Sequence, residues 1–447
     1  SSQRILAADD VPLNLDVVTT GEADALARVH DFVGAGFDVT VDVPLRARVF
    51  AIGRDEHIAV LVVHHIAADG ASTEPLARDL IAAYHARTRG EAPAWEPLPV
   101  QYADYALWQR QLLGDPDDPD SLASRHLEHW RRTLADVPEV LALPTDRPRP
   151  PQQSFRGDTV HFTVPAAVHR GLQALAARHG ATLFMTVHAA LSVLLARLSG
   201  SDDIAVGTPI AGRGHRALDD LIGMFVNTLV LRTPVSGALS FAEQLERTRE
   251  VDLAAFGHTE LPFEKLVDAL APARALDHTP LFQVVLEFQN NERPHLELPD
   301  LIVDALDADP HVAKFDLQLT MGEQAPTGVA EPAGLHGAFT YATDLFDADT
   351  VAALAQRFLR LLTAVTADPT VPVGDIDLLD SGEHEPVVPT TAGSELTLMD
   401  LFDRAAAATP DAVAVTAVDG QLTYRQLSSH AHRLARAFAA RGAAPGT

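Results

Sequence analysis

Apolar and polar residues follow one another along this chain in segments that predict both strands and helices. The segment IAVLVV at 58–63 is apolar at every position, which is typical of a central strand covered on both faces. The chain then turns through Asp69 and Gly70, and Ser72 or Thr73 stands where a residue would cap a helix. Four apolar residues at helical spacing would form the buried face of that helix: Leu76, Leu80, Ile81 and Tyr84.

Similar segments continue to about residue 380. Helical periodicity predicts helices at 165–179, 182–198, 240–256 and 349–367, the third opened by the capping box Ser240-Phe-Ala-Glu243. Short apolar runs predict strands at 203–208, 281–289 and 335–342. In the second of these strands, one strongly apolar face is expected to carry Phe282, Val284, Leu286 and Phe288. Strands and helices mixed over this length predict a two-lobed α/β or α+β body.

The composition changes after residue 380. Residues 381–396 are polar and rich in proline without periodicity, which is typical of an interdomain linker. Residues 397–447 then predict helix, strand, Asp-Gly turn, strand and helix. So short a segment cannot build a stable core of that kind alone. It is therefore expected to be the truncated beginning of a second domain.

Overall composition narrows the classes of function. The chain has 447 residues, of which 47% are hydrophobic and 21% charged, and these values are typical of a globular protein with more than one core. The net charge of −27 argues against binding to nucleic acid or to anionic membranes. No apolar run is long enough to cross a membrane, and the first residues do not form a signal peptide. A cytoplasmic location is therefore expected.

Several familiar kinds of site are absent from the sequence. There is no cysteine, which excludes disulfides, thiolate nucleophiles and cysteine-based metal sites. The segment AGRGHR at 211–216 lacks the lysine of a phosphate-binding loop, no Gly-x-Ser-x-Gly motif is present, and no His-x-x-x-His pair occurs. No metal ligand set is therefore predicted. Most of the 20 histidines are expected at the surface, among them His169, His215 and His278.

One stretch carries a stronger signal. The apolar segment at 58–63 ends in His64 and His65, and Asp69 and Gly70 follow after three further residues. Two imidazoles and a carboxylate at the end of an apolar strand are unfavourable unless they are hydrogen-bonded. The stretch is therefore either a satisfied structural turn or part of a catalytic site.

The stretch HHIAADG resembles the His-His-x-x-x-Asp-Gly signature of the condensation domains of nonribosomal peptide synthetases. Other acyltransferases of the chloramphenicol-acetyltransferase-like and carnitine types share this signature more loosely. Further blocks resemble the family in its order: YADYALW at 102–108, IGMFVNTLVLR at 222–232, HTELPFEKLV at 258–267, RALDHTPLFQVVLEFQN at 274–290 and TYATDLFD at 340–347. The resemblance covers residues 1–380. It implies a two-lobed chloramphenicol-acetyltransferase-like fold, α/β or α+β, with the active site in a tunnel between the lobes.

The resemblance also implies an order of domains. Residues 1–105 would form the N-terminal lobe, of which the family has a further front part, and residues 106–380 would form the C-terminal lobe. After the linker at 381–396, LFDRAAAATPDAVAV and LTYRQL resemble the opening of an adenylation domain. Residues 397–447 would then be the truncated beginning of that domain. This arrangement argues against an epimerisation domain, which usually ends a module.

The resemblance implies roles for the residues of the stretch. His65 would act as base toward the attacking amine or would stabilise the charged intermediate, and these two alternatives stay open. His64 would point to the opposite face of the strand and serve as a structural hydrogen-bond partner. Asp69 would be buried in an ion pair, and Arg197 and Arg213 are both candidates for its partner.

Four more residues are implied near the substrate. Gly70, which has no side chain, would let the substrate arm approach the backbone. Ala71 and Ser72 would line the substrate tunnel, and Ala71 departs from the tryptophan often found there in the family. Asn227 is interpreted either as a turn residue or as a tunnel-lining residue.

The implied reaction joins two carrier-bound substrates. The amine of an aminoacyl thioester would attack an acyl or peptidyl thioester, each carried on the 4'-phosphopantetheine arm of an upstream or downstream peptidyl carrier domain. The chain itself would bind no cofactor directly, and an adenylation domain would follow in cis. Alternatives are a condensation-like O-acyltransferase, an epimerisation domain or a noncatalytic carrier-docking module. The histidine pair argues against the heterocyclising relatives, in which aspartates replace both histidines.

Overall fold

The computed structural model describes residues 3–7, 10–11, 15–270, 275–289, 298, 301–304, 306, 311–323, 334–380, 383, 398–417 and 420–441. The chain divides into two units, Ser1–Leu378 and Leu379–Thr447. The first unit contains two β-sheets and the helices that pack on them, and the second is a small helix and hairpin segment. Each unit is described by itself below.

The first unit opens with a small sheet of three strands. These are β1 (Asp16–Thr19), β2 (Leu45–Ala51) and β3 (His57–Val63), with helix α1 (Glu22–Gly34) between the first two. Strand β1 is parallel to β2, and β2 is antiparallel to β3. Phe50 on β2 is buried, and its ring meets the edge of Phe32 from α1. Apolar residues on one side of α1 therefore attach that helix to the sheet.

Strand β3 does not occupy the central position that its apolar sequence predicts. Within the described residues it pairs only with β2, and Leu61 is exposed. An unbroken apolar run shows that a strand has two apolar faces, but it carries no information about how many strands lie beside it. The prediction of a strand is thus confirmed, whereas the prediction of a central strand is wrong for the described sheet.

Three helices follow the small sheet: α2 (Thr73–Thr88), α3 (Tyr102–Leu113) and α4 (Leu122–Thr133). A short 3-10 turn, Gly70–Ser72, precedes α2 and is capped by Asp69. Ser72, one of the two predicted caps, is the N-cap residue of α2, but its side chain makes no capping hydrogen bond to that helix. The predicted buried face of α2 is also shifted, because Leu80 is 51% exposed whereas Pro75, Ala77 and Ala86 are buried. The lobe boundary predicted between residues 105 and 106 falls inside α3.

A large sheet of six strands forms the rest of the first unit. Its elements are β4 (Gly157–Val164), α5 (Ala166–Arg178), α6 (Leu183–Ser199), β5 (Asp203–Ile210), β6 (Asn227–Pro234), α7 (Phe241–Phe256), α8 (Phe263–Leu270), β7 (Val284–Gln289), β8 (Leu317–Glu323), β9 (Leu335–Ala342) and α9 (Ala348–Ala367). The strand order is β4-β9-β8-β7-β5-β6. The pairs β5–β7 and β7–β8 are parallel, and the other pairs are antiparallel.

Helices cover the large sheet on both faces. Helices α5, α6, α7 and α9 enclose the main core on one face, and α6 is buried continuously over residues 185–195. Trp130 from α4 and Leu266 from α8 cover the other face. Both faces of β7 are consequently buried at Val284 and Val285. The expected apolar face is confirmed at Val284 and Leu286, but the opposite face is also apolar and buried at Val285.

Most of the predicted elements of the large sheet are confirmed within one or two residues, apart from the start of β7. The capping box of Ser240 and Glu243 opens α7 as expected. The surface prediction for histidines fails at His169 and His278, which are buried. His278 Nδ1 lies 2.8 Å from Asp277 Oδ1, and a polar side chain with such a partner can be buried at little cost.

The second unit consists of α10 (Leu398–Ala408), β10 (Val413–Ala417), β11 (Gly420–Thr423) and α11 (Tyr424–Ala439). Strands β10 and β11 are antiparallel, so the predicted order of helix, strand, strand and helix is confirmed. The predicted linker at 381–396 lies outside the described residues except for Glu383. In the part of the chain that the structure describes, no single helix is long and apolar enough to cross a membrane, and only the pair α5 and α6, bent by 105°, passes that test together.

Candidate active site at the HHIAADG turn

The turn after β3 is anchored at both of its ends. At its start, the His64 N–H donates to the Pro44 carbonyl at 2.9 Å, which continues the pairing of β2 with β3. The Ala67 N–H then donates back to the His64 carbonyl at 2.9 Å and reverses the chain. At its end, Asp69 caps the 3-10 turn that leads into α2. The position of the intervening residues therefore depends on these two anchors.

The two histidines have different surroundings. His64 Nδ1 accepts a hydrogen bond from the Ile66 N–H at 3.0 Å, and its ring meets Phe37 edge-on with 5.9 Å between the ring centroids. His65 is exposed, and its imidazole has no hydrogen bond to another described residue. The second histidine of the pair is therefore the more exposed one.

Asp69 is buried and its carboxylate is surrounded by donors. Arg213 Nη1 lies 3.0 Å from Oδ1 and 2.8 Å from Oδ2, the Ser72 N–H donates to Oδ1 at 3.0 Å, and the Phe225 N–H donates to Oδ2 at 2.9 Å. Burial alone would raise the pKa of Asp69, but hydrogen bonds from Arg213, Phe225 and Ser72 outweigh it and lower the pKa below its usual value. The carboxylate is thus held in its ionised form.

Of the two arginines predicted as partners of Asp69, the structure places Arg213 against it. The Arg213 side chain is buried, and its Nη2 donates to Ser72 Oγ at 3.0 Å and to the Leu221 carbonyl at 2.9 Å. Arg197 lies elsewhere, with its Nη1 donating to the carbonyls of Val373 and Ile376. It therefore contributes to the packing of the main core and not to this turn.

Two glycines let the 211–225 segment, which connects β5 with β6, pack closely at this point. Gly212 has a φ of +65°, and a Cβ there would lie 1.9 Å from the Phe225 carbonyl oxygen. A Cβ on Gly223 would lie 2.4 Å from the Tyr102 ring. At Gly70, in contrast, a Cβ would meet no protein atom within 4 Å. The packing of the protein itself does not require glycine at position 70.

The YADYALW block packs against the same segment. The Tyr102 hydroxyl donates to the Met224 carbonyl at 2.7 Å, and the ring centroids of Tyr102 and Tyr105 lie 5.2 and 4.7 Å from that of Phe225. The Arg213 guanidinium lies 4.2 Å from the centroid of the same Phe225 ring, at a distance that allows a cation–π interaction. The predicted site did not include Phe225, Tyr102 or the two glycines, although all lie in or beside quoted motifs.

Asn227 holds the chain together through its side-chain amide. Its Nδ2 donates to the carbonyls of Thr259 and Leu261, both at 2.8 Å, and its Oδ1 accepts from the N–H groups of Phe263 and Thr228, both at 2.9 Å. All four hydrogen-bonding positions of the amide are thus used by the protein. Of the two interpretations of Asn227, these contacts favour the turn residue that holds the segment before α8.

The predicted tunnel position of Ser72 needs correction. The residue is 1% exposed and its hydroxyl contacts only protein atoms, so it lines no accessible surface. Its neighbour Ala71 is half-buried. The resemblance implies a tunnel position for Ser72, but the 3-10 turn directs its side chain inward.

No metal site accompanies this turn. Within the described ranges, no group of three or more histidine, aspartate or glutamate side chains is arranged to hold a metal ion. A cavity of about 450 Å³ lies between α1 and the small sheet, lined by Arg28, Phe32, Arg46, Arg48 and Phe50 among others. None of the predicted site residues lines it.

The sequence of the chain was compared with those of known proteins and protein families. The sequence model of the condensation domain matches residues 1–388. A Salinispora arenicola protein named as a nonribosomal peptide synthetase is 47% identical over 451 residues, which cover 99% of this chain and 6% of that protein. The dimodular nonribosomal peptide synthase of Bacillus subtilis is 44% identical over 450 residues, covering 100% of this chain and 19% of that protein. The chain thus spans less than a fifth of the length of these relatives.

A solved structure agrees with the sequence matches. The X-domain from teicoplanin biosynthesis, in its complex with OxyB, has a TM-score of 0.77 and 35% identity, covering 83% of this chain and 80% of that chain. The predicted chloramphenicol-acetyltransferase-like α/β fold is confirmed by this likeness. The matched family model covers most of the chain and includes the HHIAADG turn with the blocks that pack around it, so the chain belongs to the condensation-domain family of nonribosomal peptide synthetases.

Proposed function

We propose that this chain forms an amide bond between two carrier-bound substrates. The amine of an aminoacyl thioester attacks the carbonyl carbon of an acyl or peptidyl thioester. A C–N bond forms, the C–S bond breaks, and the proton lost from the amine balances the released thiol. Family membership supports this acyltransferase chemistry.

One observation carries the proposal. Within a single turn, the Asp69 carboxylate and His64 Nδ1 are hydrogen-bonded to protein atoms, whereas His65 is exposed and has no hydrogen-bond partner in the described part of the chain. A purely structural turn would have no need of an exposed imidazole beside a buried ion pair. We therefore infer that the turn positions His65 for contact with a substrate.

The chemistry of an imidazole suits this reaction. An α-amino group titrates at about pH 8, so part of the amine is already neutral near pH 7. A neutral imidazole can accept the proton that the nitrogen loses as the C–N bond forms. His65 either removes this proton as a base or stabilises the positively charged nitrogen of the tetrahedral intermediate.

The proposal extends to partners and domain order. Upstream and downstream peptidyl carrier domains would deliver both substrates on phosphopantetheine arms, and the chain itself would hold no cofactor. Residues 1–105 and 106–380 would be the lobes and 381–396 the linker in a cytoplasmic synthetase. Residues 397–447 would open an adenylation domain. The family match ends at residue 388, while the relatives align over nearly the whole chain, which supports a second domain after the linker.

Replacement of the exposed histidine tests the function. We expect His65→Ala to lower the rate of amide formation by roughly two to four orders of magnitude, the usual contribution of a positioned acid–base group. Folding should be unchanged, because the side chain is exposed. The measurement is product formation from loaded donor and acceptor carrier proteins, with thermal unfolding in parallel.

The matched control is His57→Ala, an exposed histidine at the other end of β3, which should keep wild-type activity. If His65→Ala retains activity within tenfold of wild type, His65 does not perform the proposed role. An acceptor that carries a hydroxyl in place of the amine separates amide formation from O-acyl transfer. Inversion of a carrier-bound residue without bond formation would identify an epimerisation domain.

A second candidate is a noncatalytic docking module. The X-domain that this chain resembles was solved in complex with OxyB, so a domain of this fold can serve as a binding surface for another protein. In that case the wild-type chain would bind a loaded carrier domain but release no amide product. The same assay therefore decides between the two functions.

A further inference from the structure

The hydroxyl of Ser72 lies where three segments of the chain meet. It is within reach of five groups: Asp69 Oδ1 at 2.8 Å, the Gly223 carbonyl at 3.0 Å, Arg213 Nη2 at 3.0 Å, the Gly223 N–H at 3.1 Å and the Asp69 N–H at 3.2 Å. These groups belong to the HHIAADG turn and to both ends of the 211–225 segment. The side chain is 1% exposed, so water cannot replace any of these contacts.

A serine hydroxyl has one proton to donate and two lone pairs to accept with. Its proton serves either Asp69 or Gly223, and three N–H donors compete for the lone pairs. Whichever acceptor takes the proton and whichever two donors use the lone pairs, at least one of these hydrogen bonds joins the turn to the 211–225 segment. The Asp69–Arg213 ion pair and the Asp69 N–H bond to the Gly223 carbonyl already cross this junction, and Ser72 adds contacts to the Gly223 N–H and to Arg213 Nη2.

This junction lies at one end of the turn that carries His65. The turn is held at its start by the His64 N–H on the Pro44 carbonyl and at its end by Asp69, whose own N–H donates to the Gly223 carbonyl at 3.1 Å. No hydrogen bond from a described residue holds the His65 ring itself. If the contacts of Asp69 at this end of the turn were weakened, the His65 imidazole would therefore shift relative to the substrate without unfolding of the chain.

We propose that Ser72 is a positioning residue, which couples the HHIAADG turn to Gly223 and Arg213 and thereby fixes the imidazole of His65. The inference rests on the proposed function, because His65 is the group that is positioned. It predicts that loss of the hydroxyl slows the chemical step and leaves substrate binding unchanged.

Replacement of Ser72 tests this inference in the full chain. We expect Ser72→Ala to lower kcat by about 10- to 100-fold, the effect of a misplaced catalytic group, with KM for both loaded carrier proteins changed by less than about twofold. Ser72→Cys, which keeps the volume but is a weak hydrogen-bonding group, should resemble Ser72→Ala. Both variants should unfold cooperatively, and the assays are run well below their melting temperatures.

Ser192→Ala is the matched control. Ser192 is a buried serine in α6 whose hydroxyl has no hydrogen-bond partner among the described residues, so its loss should leave kcat and KM at wild-type values. A kcat for Ser72→Ala within twofold of wild type, or a loss explained by the unfolded fraction alone, would overturn the inference. A rise in KM with an unchanged kcat would do the same.

Hydrogen–deuterium exchange supplies a readout that is independent of activity. In Ser72→Ala, exchange should rise in peptides covering 64–72 and 221–225 and remain unchanged in α6, whereas Ser192→Ala should leave both peptides protected. If the wild-type chain forms no amide but the exchange result holds, the proposed function fails and the junction stands. If exchange at 64–72 is unchanged in Ser72→Ala, the positioning role fails whatever the activity.

Discussion

Asp69 and His65 lie four positions apart in one turn, but their surroundings are opposite. The carboxylate is buried and receives bonds from Arg213, Ser72 and Phe225, whereas the imidazole is left exposed. A buried ion is tolerated only when its partners replace the water it has lost. Asp69 thus stabilises the turn, whereas the proposed chemistry depends on His65.

The first prediction concerns the buried ion pair. Asp69→Ala leaves the Arg213 guanidinium buried without its counter-ion, so the free energy of unfolding should fall by about 3–5 kcal/mol. Chemical denaturation measures this loss, and amide formation should fall with it. Asp55→Ala, at an exposed aspartate between β2 and β3, should change the free energy by less than about 0.5 kcal/mol. A loss below about 1 kcal/mol for Asp69→Ala would show that Arg213 does not depend on this carboxylate.

At the scale of single residues, the sequence predicts what kind of interaction a side chain makes better than it predicts which residue is the partner. The resemblance of HHIAADG to the family signature implies a buried Asp69 paired with an arginine, but it does not separate Arg197 from Arg213. The correct partner lies 144 positions away, and it reaches Asp69 because Gly212 adopts a positive φ beside Phe225. The inward direction of Ser72 depends on the 3-10 turn, which periodicity does not reveal.

Among the elements, α4 and the segment before α8 share a cluster of imidazoles. His126 Nδ1 lies 2.6 Å from His258 Nδ1, and the His129 ring stacks on that of His258 with 3.7 Å between centroids. Glu260 Oε2 lies 3.3 Å from His126 Nε2. Asn227 holds the same segment through Thr259 and Leu261. The contact of α4 with this segment therefore depends on neutral imidazoles.

The pKa values of all three histidines are lowered. Burial is the largest cause for each, and burial together with the charge of His258 and other neighbours lowers the pKa of His129 to about 4. Neighbouring positive charge adds to this effect, from Arg132 on His129 and His258 and from Arg125 on His126, while Glu260 opposes it for His126 and His258. Protonation of the cluster is therefore unfavourable in the folded chain.

The second prediction follows from these pKa values. Between about pH 6.5 and pH 4 the unfolded chain binds protons that the folded chain does not, so stability should fall as the pH falls through this range. His129→Gln removes one of the responsible groups and should make the decline shallower. Melting temperatures measured from pH 7 to pH 4 test this. His57→Gln, at an exposed histidine, should keep the wild-type slope, and equal slopes for all three proteins would contradict the interpretation.

Secondary structure was predictable to the extent that periodicity reports it. The helices α5, α6, α7 and α9 and the strands β5 and β9 lie where their patterns place them. The wrong predictions concern which elements lie beside a strand or cover its faces. The sequence of β3 predicts a central strand, but β3 has one described partner, and β7 was expected to have one strongly apolar face but is also covered on its second face by α4 and α8. Pairing and coverage are set by distant segments, which a local pattern does not contain.

At the scale of the molecule, polar contacts within the first unit join its two sheets beside the candidate active site. The Asp69–Arg213 pair links the turn after β3 to the segment between β5 and β6, and Arg78 on α2 pairs with Asp220 of that segment. Mutations that weaken these contacts are therefore expected to affect catalysis and stability together.

The last prediction concerns the second unit. Its described side chains include a set of exposed apolar residues: Met399, Leu401, Val413, Val415, Leu434 and Phe438. None of the residues described in α11 is buried. A segment that buries so little apolar surface cannot offset the conformational entropy lost on folding, so residues 379–447 expressed alone should show no cooperative unfolding transition.

Residues 1–378, in contrast, contain the described core of both sheets. They should unfold cooperatively with a melting temperature within about 2 °C of the full chain. Circular dichroism during heating compares the two fragments with the whole. A cooperative transition for 379–447 alone would contradict the proposal that this segment opens an adenylation domain, because it would then be a complete domain.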